Sequence, residues 1–160
     1  MLVGFIAVII ILLVIVGLFS SGTLNDKGGA GKYQTDATKA LTVVGDLESS
    51  VRFYKINGDY STLTMDYFRD SNFHPELIES GTMASEDWDN WPIGLPDPYT
   101  GDYIKLGGPA GDEMRLIVVP IDNGEGASIY LMKKKVNNID PQYLKILEKT
   151  LAKNDKYVGG

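Results

Sequence analysis

The chain begins with an unbroken run of apolar residues. Residues 1–19 contain no charged or polar side chain, and the first charged residue is Asp26. At a rise of about 1.5 Å per residue, a helix of this length spans roughly 28 Å, close to the roughly 30 Å hydrocarbon core of a bilayer. The run is apolar on every side, and in lipid each backbone group must be paired within the segment. We therefore expect residues 1–21 to form a helix surrounded by lipid or by other apolar helices.

A cleaved signal peptide is the first alternative for this run. Such a peptide carries a basic region before its apolar stretch and a small-residue cleavage site after it. No basic residue precedes Leu2, and an uncleaved anchor would normally carry Lys or Arg on its cytoplasmic side. The simplest expectation is a mature chain from which a leader has already been removed.

A Gly-rich segment separates this run from a second helical pattern. Gly22, Gly28 and Gly29 all fall within residues 22–33. Glycine at this density raises the entropic cost of helix formation and frees the backbone. We therefore expect a break or a linker in this segment.

The second pattern predicts an amphipathic helix. Apolar residues recur at intervals of three and four from Thr35 to the NGDY sequence at residues 57–60. Thr35 or Asp36 can cap the start of the helix, and Gly58 occupies the usual glycine position after its end. The expected buried side consists of Ala37, Ala40, Val44, Leu47, Val51 and Tyr54. The residues expected to face water are Lys39, Asp46, Arg52 and Lys55.

After residue 60 the pattern changes to short helices, loops and strands. A short helix is expected to start at Ser61 and to run through residues 65–69, and a loop rich in Pro, Gly and aromatic residues precedes the first strand. Apolar runs with strand-like periodicity predict three strands, at residues 103–106, 114–121 and 127–133. Both faces of the middle strand are expected to be covered, because apolar residues occupy both sets of alternate positions. The DNGEG sequence between the last two strands predicts a hairpin turn.

The end of the chain predicts a final amphipathic helix at residues 141–153, with Asp140 as its cap and Pro141 at its first position. Its expected buried side consists of Tyr143, Leu144, Leu147 and Leu151. Together the elements predict an α+β fold. A long hydrophobic helix and a Gly-rich break precede an amphipathic helix packed on a small three-stranded antiparallel sheet, and a C-terminal helix follows. The corresponding segments are a hydrophobic helix, a linker and a globular head, at residues 1–21, 22–33 and 34–160.

Composition and charge narrow the function classes. The net charge of −6 and the pI of about 4.7 argue against a nucleic-acid-binding surface, which needs clustered Lys and Arg. The chain has no cysteine, so packing rather than disulfides must hold the head together. Residues 133–156 carry seven Lys against three acids. This basic segment is either a solvated surface or a patch that meets the acidic remainder of a neighbouring copy.

The sequence offers little for catalysis. With no cysteine and a single histidine, His74, nucleophilic triads and His-rich metal sites are nearly excluded. His74 is expected to be an ordinary loop residue. Four aspartates around the aromatic loop carry the oxygen ligands that Ca²⁺ prefers, and the alternative for them is a role as solvated loop acids or turn caps: Asp87, Asp89, Asp97 and Asp102. The loop aromatic residues are expected either to pack as a small satellite core or to form an adhesive patch: Trp88, Trp91 and Tyr99.

Three local sequences, together with the order of the elements, point to one protein family. Residues 40–63 read ALTVVGDLESSVRFYKINGDYSTL, a helix that ends in a tyrosine, a short polar turn and Gly-x-Tyr. Residues 95–104 read LPDPYTGDYI, an Asp-Pro-aromatic-x-Gly-x-Tyr loop before a strand, and residues 137–155 read NNIDPQYLKILEKTLAKND. With these motifs the chain resembles the type IV pilin superfamily, which includes pili, secretion-system pseudopilins and DNA-uptake filaments. The last segment resembles the type IVb branch.

The resemblance implies a structural subunit of an extracellular filament that polymerises through its N-terminal helix. Each subunit would wait in the inner membrane, meet a prepilin peptidase and an assembly platform, and then join copies of itself in a helical filament. The positions implied in assembly are Met1, Phe5, Ile9, Leu12, Val16, Gly22, Gly28 and Gly29. N-terminal methylation is expected at Met1. No catalysis or nucleic-acid contact is expected, and calcium is the one cofactor considered. Pseudopilins sometimes hold a calcium in the loop before the sheet, so the resemblance implies Asp97 and Asp102 as its candidate ligands.

Two departures from the family pattern bear on assembly. Phe5 stands where most members carry a glutamate, a residue thought to pair with the N-terminal amine of a neighbouring subunit. Its presence implies registration by packing alone, or the role of a tip, minor or pseudopilin subunit. The cysteine pair of many pilins is also missing. The alternative function is a non-polymerising extracytoplasmic domain on a single membrane-spanning helix, which binds a partner or tunes a secretion machine.

Overall fold

The structure is a computed structural model of the 160-residue chain, and it describes residues 30–156. The predicted hydrophobic helix at 1–21 lies outside the described residues. The helices and strands are, in chain order, α1 (Ala30–Asn57), α2 (Asp66–Asp70), β1 (Ile78–Met83), β2 (Tyr99–Lys105), β3 (Met114–Ile121), β4 (Gly126–Lys133) and α3 (Pro141–Lys153). This composition confirms an α+β fold with a long helix, an antiparallel sheet and a C-terminal helix. No helix within residues 30–156 combines the length and the apolar character needed to span a bilayer.

The described residues form two compact units. A helical unit contains residues 30–52 and 139–156, and a sheet unit contains residues 53–138. The helical unit therefore includes most of α1 and all of α3, and the sheet unit includes α2 and the four strands.

The predicted start of the amphipathic helix is wrong. Residues 30–33, which we assigned to the Gly-rich break, are helical, and Thr35 lies inside α1 rather than capping it. The Thr35 hydroxyl instead donates to the carbonyl oxygen of Gly31 at 3.1 Å. A glycine in a helix costs only about 1 kcal/mol of stability relative to alanine. The burial of the rest of α1 is enough to offset this cost at Gly31.

The predicted faces of α1 are confirmed, but its burial is wider than the pattern indicated. Five of the six residues expected to be buried are buried, and Tyr54 is half-buried. Leu41, Val43 and Thr38 are buried as well. The Thr38 hydroxyl donates to the carbonyl oxygen of Gln34 at 2.9 Å, which satisfies this polar group inside the packed surface. The residues predicted to face water are indeed exposed: Lys39, Asp46, Arg52 and Lys55.

The C-terminal helix has the predicted bounds and cap. Asp140 accepts from the backbone N–H of Gln142 at 2.9 Å, and Pro141 occupies the first turn. Tyr143, Leu147 and Leu151 are buried as expected, with Thr150 in addition. The prediction for Leu144 is only partly right, because this side chain is half-buried.

The prediction of three strands is wrong, because the sheet has four strands in the order β1-β2-β3-β4. The missed strand, β1, pairs antiparallel with β2 along its whole length, from Ile78↔Ile104 to Met83↔Tyr99. β1 reads IESGTM, and only its two terminal residues are buried. Neither alternation nor a run of β-branched residues marks such a strand in the sequence. The same pairing extends β2 to Tyr99, four residues before its predicted start.

The β3–β4 hairpin follows the prediction closely. β3 occupies the predicted residues, and its first six residues are buried, as expected for a strand that is covered on both faces. The register runs from Met114↔Lys133 to Ile121↔Gly126. In the turn, Asn123 and Gly124 have positive φ angles of 56° and 90°. Such angles explain why the Asn-Gly sequence is suited to this connection.

Candidate functional site

The predicted assembly positions all precede the described part of the chain: Met1, Phe5, Ile9, Leu12, Val16, Gly22, Gly28 and Gly29. The described residues contain the three segments that carry the family resemblance. They also contain the two candidate calcium ligands, the basic segment and a surface cavity.

The first motif closes the end of α1 on the turn that follows it. The hydroxyl groups of Tyr54 and Thr62 are hydrogen-bonded at 2.7 Å. The ring of Tyr54 meets that of Tyr67 edge to face, with 4.7 Å between the ring centroids. The Lys55 ammonium lies 5.0 Å from the centroid of the Tyr60 ring. The tyrosine, polar turn and Gly-x-Tyr pattern therefore encodes a packed corner at the end of the helix.

The second motif joins the loop before β2 to two other parts of the sheet unit. Asp97 accepts from the backbone N–H of Ser85 at 3.0 Å and also from its hydroxyl. These bonds, first that from the hydroxyl, lower the pKa of Asp97. Asp102 accepts two hydrogen bonds from the guanidinium of Arg69, in α2. The Tyr99 hydroxyl donates to the carbonyl oxygen of Asp102, and burial raises the pKa of Tyr99 to about 12.

The two candidate calcium ligands thus bind different partners within the sheet unit. Asp97 caps the turn at Ser85, and Asp102 neutralises Arg69. Within residues 30–156, no group of three or more His, Asp or Glu side chains has the arrangement to hold a metal ion. Each acid therefore has a hydrogen-bonding partner within the sheet unit.

His74 occupies a local turn. It has a left-handed backbone conformation (φ 33°, ψ 63°) before Pro75, and its Nδ1 lies 3.4 Å from Oε1 of Glu76. The pKa of Glu76 is lowered, first by the hydrogen bond from its own backbone N–H and also by His74. These contacts match the expected role of His74 as a loop residue.

The loop aromatic residues are packed rather than displayed. Trp88 is only 3% exposed, whereas Trp91 and Tyr99 are half-buried. The indole N–H of Trp91 donates to the carbonyl oxygen of Leu95 at 3.4 Å. Their burial favours the satellite core over the adhesive patch.

The basic segment divides into lysines with different surroundings. Lys156 binds Glu48 at 2.5 Å within the helical unit, and Lys133 lies 3.9 Å from Asp89 within the sheet unit. The three lysines of α3 follow one another at intervals of four residues and are exposed: Lys145, Lys149 and Lys153. These three lysines therefore form a stripe along one side of α3, which we call the α3 lysine stripe.

A cavity of about 460 Å³ lies in the sheet unit. Its lining includes Met83, Trp88, Arg115, Lys134, Lys135 and Val136. The wall formed by Trp88 is held by an antiparallel bridge to Lys134 beyond the end of β4. In that bridge the backbone N–H of Lys135 donates to the carbonyl oxygen of Asp87 at 3.0 Å.

Arg115 is the functional candidate that sequence reasoning missed. It is 7% exposed, and its guanidinium carbon lies 3.8 Å from the ring centroid of Tyr103 and 4.6 Å from that of Trp88. In the sheet register Arg115 pairs with Lys105, and Tyr103 lies two residues along β2 on the same face. The sequence feature that could have identified Arg115 is an arginine within an otherwise apolar strand. A buried charge needs partners, so such an arginine indicates a cluster of interacting side chains around it.

No protein-family model matches the chain, and no curated protein or solved structure is significantly similar to it. The function is therefore inferred from the apolar run at residues 1–19 and from the geometry of residues 30–156.

Proposed function

We propose that the chain is a structural subunit of a type IV pilus-like extracellular filament and that it polymerises through its apolar N-terminal segment. The observation that carries the proposal is the run of residues 1–19, which has no charged or polar side chain. It leads into the long helix α1, and the antiparallel sheet and α3 follow in the order that the family resemblance implies.

The physical chemistry of the apolar run supports assembly from a membrane. Lipid and a bundle of apolar helices are similar environments, so moving the run from one to the other changes little hydrophobic free energy. Close packing between helices and contacts between heads then decide whether the run stays in the membrane or enters the filament. A head-to-tail contact whose rotation does not close produces an open helical array, which is a filament.

The geometry of the two motif segments supports a well-ordered sheet unit. Tyr54 fixes the end of α1 through Thr62 and Tyr67, and Asp102 joins β2 to α2 through Arg69. A repeating assembly requires identical contacts at each step, and a well-ordered sheet unit presents the same surface in every copy. The proposal also gives a role to the α3 lysine stripe, which can meet acidic side chains of a neighbouring copy. Each exposed pair of this kind would contribute less than about 1 kcal/mol.

Electron microscopy of the full chain tests the proposal. Purified protein is transferred out of detergent and examined by negative staining, and we expect filaments of uniform width. The variant Ile9→Lys places a charge in the apolar run, where it costs about 3 kcal/mol or more, and should abolish filaments. Ile93→Lys is the matched control, because Ile93 is 90% exposed in the sheet unit.

Two outcomes of this experiment count against the proposal. One is dispersed single molecules of the wild-type chain after transfer out of detergent. The other is an equal loss of filaments in Ile9→Lys and Ile93→Lys. Phe5, at the position of the family glutamate, favours the membrane-anchored extracytoplasmic domain as the second candidate. In that case the wild-type chain stays in the membrane fraction without fibres, and mass spectrometry of sheared surface material finds no methylated Met1.

A further inference from the structure

The guanidinium of Arg115 is held in one orientation. Asp112 accepts from Nε at 3.2 Å and from Nη2 at 3.0 Å, so it occupies one edge of the group. The rings of Trp88 and Tyr103 lie within 5 Å of the guanidinium carbon. Aromatic rings at these distances attract the cation and restrict its movement.

One end of this guanidinium has no partner within the sheet unit. The hydrogen bonds of Arg115 use Nε and Nη2, and none of them uses Nη1. No buried side-chain nitrogen or oxygen among the described residues lacks a partner, so Nη1 is not fully buried. Arg115 is one of the residues that line the cavity.

The side chains that line the cavity match one chemical class of ligand. Three cationic residues line the cavity, Arg115, Lys134 and Lys135, against two acids, Glu86 and Asp87. Met83 and Val136 supply apolar surface. A guanidinium with free N–H groups is suited to a carboxylate, and a volume of 460 Å³ falls in the range of small-molecule sites. A fixed guanidinium also loses little entropy on binding.

We propose that this cavity binds a small organic carboxylate, with Nη1 of Arg115 as the anchor and with the apolar part of the ligand against Met83. Lys134, whose ammonium lies 5.6 Å from the Trp88 ring centroid, adds positive charge beside the anchor. The site does not depend on filament assembly.

A titration with two matched probes tests the site. Benzoate carries a carboxylate and an apolar ring, and benzamide has the same shape without the charge. The chain has two tryptophans, so Trp91→Phe leaves the indole N–H signal of Trp88 as the single tryptophan NMR signal. In the full chain in detergent micelles, benzoate should shift this signal with saturation, and benzamide and sodium chloride should not.

Variants at the anchor and at the cavity surface separate binding from folding. Arg115→Lys should weaken benzoate binding by about tenfold, because lysine lacks the planar N–H groups that hold a carboxylate. Arg115 is buried, so this variant also affects stability. Val136 is 90% exposed, and its substitution spares the core. Val136→Asp should weaken benzoate binding by about threefold, and Val136→Lys should strengthen it by about threefold. Ile93→Asp, at an equally exposed residue outside the lining, should leave it unchanged.

The results that overturn the site are equally specific. One is the absence of a saturable benzoate shift in the Trp91→Phe background. Another is an equal response to benzoate and benzamide. A third is equal benzoate affinity in Val136→Asp and Val136→Lys, which would mean that the shift arises elsewhere. Each of these results leaves the filament proposal unaffected.

Discussion

Arg69 and Asp102 form a two-point ion pair that joins α2 to β2. Nε of Arg69 lies 2.7 Å from Oδ2 of Asp102, and Nη2 lies 2.9 Å from Oδ1. The Asp102 side chain is 9% exposed, whereas that of Arg69 is 50% exposed. The pair raises the pKa of Arg69, chiefly through the hydrogen bonds. Asp102 belongs to the Asp-Pro-aromatic-x-Gly-x-Tyr motif, so this part of the motif has a structural role.

Removal of the arginine should destabilise the head more than removal of both charges. Arg69→Gln leaves a nearly buried carboxylate without its partner and should lower the free energy of unfolding. The double variant Arg69→Gln with Asp102→Asn should recover part of the loss. Arg52→Gln, at an exposed helical residue, is the control. Thermal unfolding followed by tryptophan fluorescence measures the effect, and equal stability of Arg69→Gln and Arg52→Gln would contradict it.

Calcium should not stabilise the described part of the chain. Asp97 and Asp102 already bind Ser85 and Arg69, so neither carboxylate is available without breaking an existing contact. We expect the melting temperature of the full chain in detergent to be the same with EDTA and with millimolar CaCl₂. A calcium-dependent increase that Asp97→Asn and Asp102→Asn both remove would overturn this expectation.

The contact between Tyr33 and Asp140 should make the stability of the helical unit depend on acid pH. The Tyr33 hydroxyl donates to Oδ2 of Asp140 at 2.7 Å, while Oδ1 caps α3 through Gln142. These bonds, first that from Tyr33, lower the pKa of Asp140. A lowered pKa in the folded state stabilises the fold above the unfolded value, near 4, and this stabilisation is lost as pH falls through the folded value.

Two variants identify this contribution. Asp140→Asn should flatten the decrease in melting temperature below about pH 4, because it removes the titrating group. Tyr33→Phe should make the decrease smaller, because the pKa of Asp140 then returns toward its ordinary value and differs less between the folded and unfolded states. Circular dichroism of the full chain in detergent across this pH range is the measurement. If the melting temperatures of wild type, Asp140→Asn and Tyr33→Phe fall in the same way below about pH 4, this mechanism is excluded.

Gly124 should tolerate no side chain. Both backbone strain and a steric clash oppose a substitution there, and a second glycine, Gly111, allows the two effects to be measured separately. Gly124 has a φ of 90°, and an added Cβ would lie 2.9 Å from the backbone nitrogen of Ser61. Gly111 also has a positive φ, 58°, but an added Cβ meets nothing within 4 Å. Gly111→Ala therefore measures backbone strain alone, about 1 kcal/mol. Gly124→Ala adds the clash and should lose clearly more stability in thermal unfolding. Equal losses would contradict the observed approach of Ser61 to the turn.

The elements that the sequence predicted well are those with several agreeing signals. β3 combines β-branched residues with burial on both faces, and the Asn-Gly turn fixes the end of the hairpin. α3 combines a cap at Asp140, proline in its first turn and apolar residues at helical spacing. In each case local preference and tertiary packing favour the same structure.

The features that the sequence did not predict depend on contacts between distant residues. β1 exists because its backbone pairs with β2, and its exposed ESGT centre carries no strand pattern. The helical residues 30–33 run against the preference of glycine. The site at Arg115 depends on Trp88, Asp112 and Tyr103 reaching one guanidinium from different segments. Residue spacing along the chain does not contain this information.

The α3 lysine stripe gives the filament proposal a consequence for salt dependence. Lys145, Lys149 and Lys153 are exposed, and the remainder of the chain outside residues 133–156 is strongly acidic. Contacts between exposed charges are screened over about 10 Å at 0.1 M salt. We therefore expect wild-type filaments to shear more easily at high ionic strength.

A variant in which all three lysines of the stripe are replaced by glutamine tests this expectation. Its filaments should shear easily at low salt and respond little to added salt. Lys39→Gln, at an exposed residue of α1, is the single-charge control. Electron microscopy of filament lengths after controlled shear is the measurement. If wild-type and triple-variant filaments have the same lengths at low and at high salt, the stripe is a solvated surface and assembly depends on packing alone.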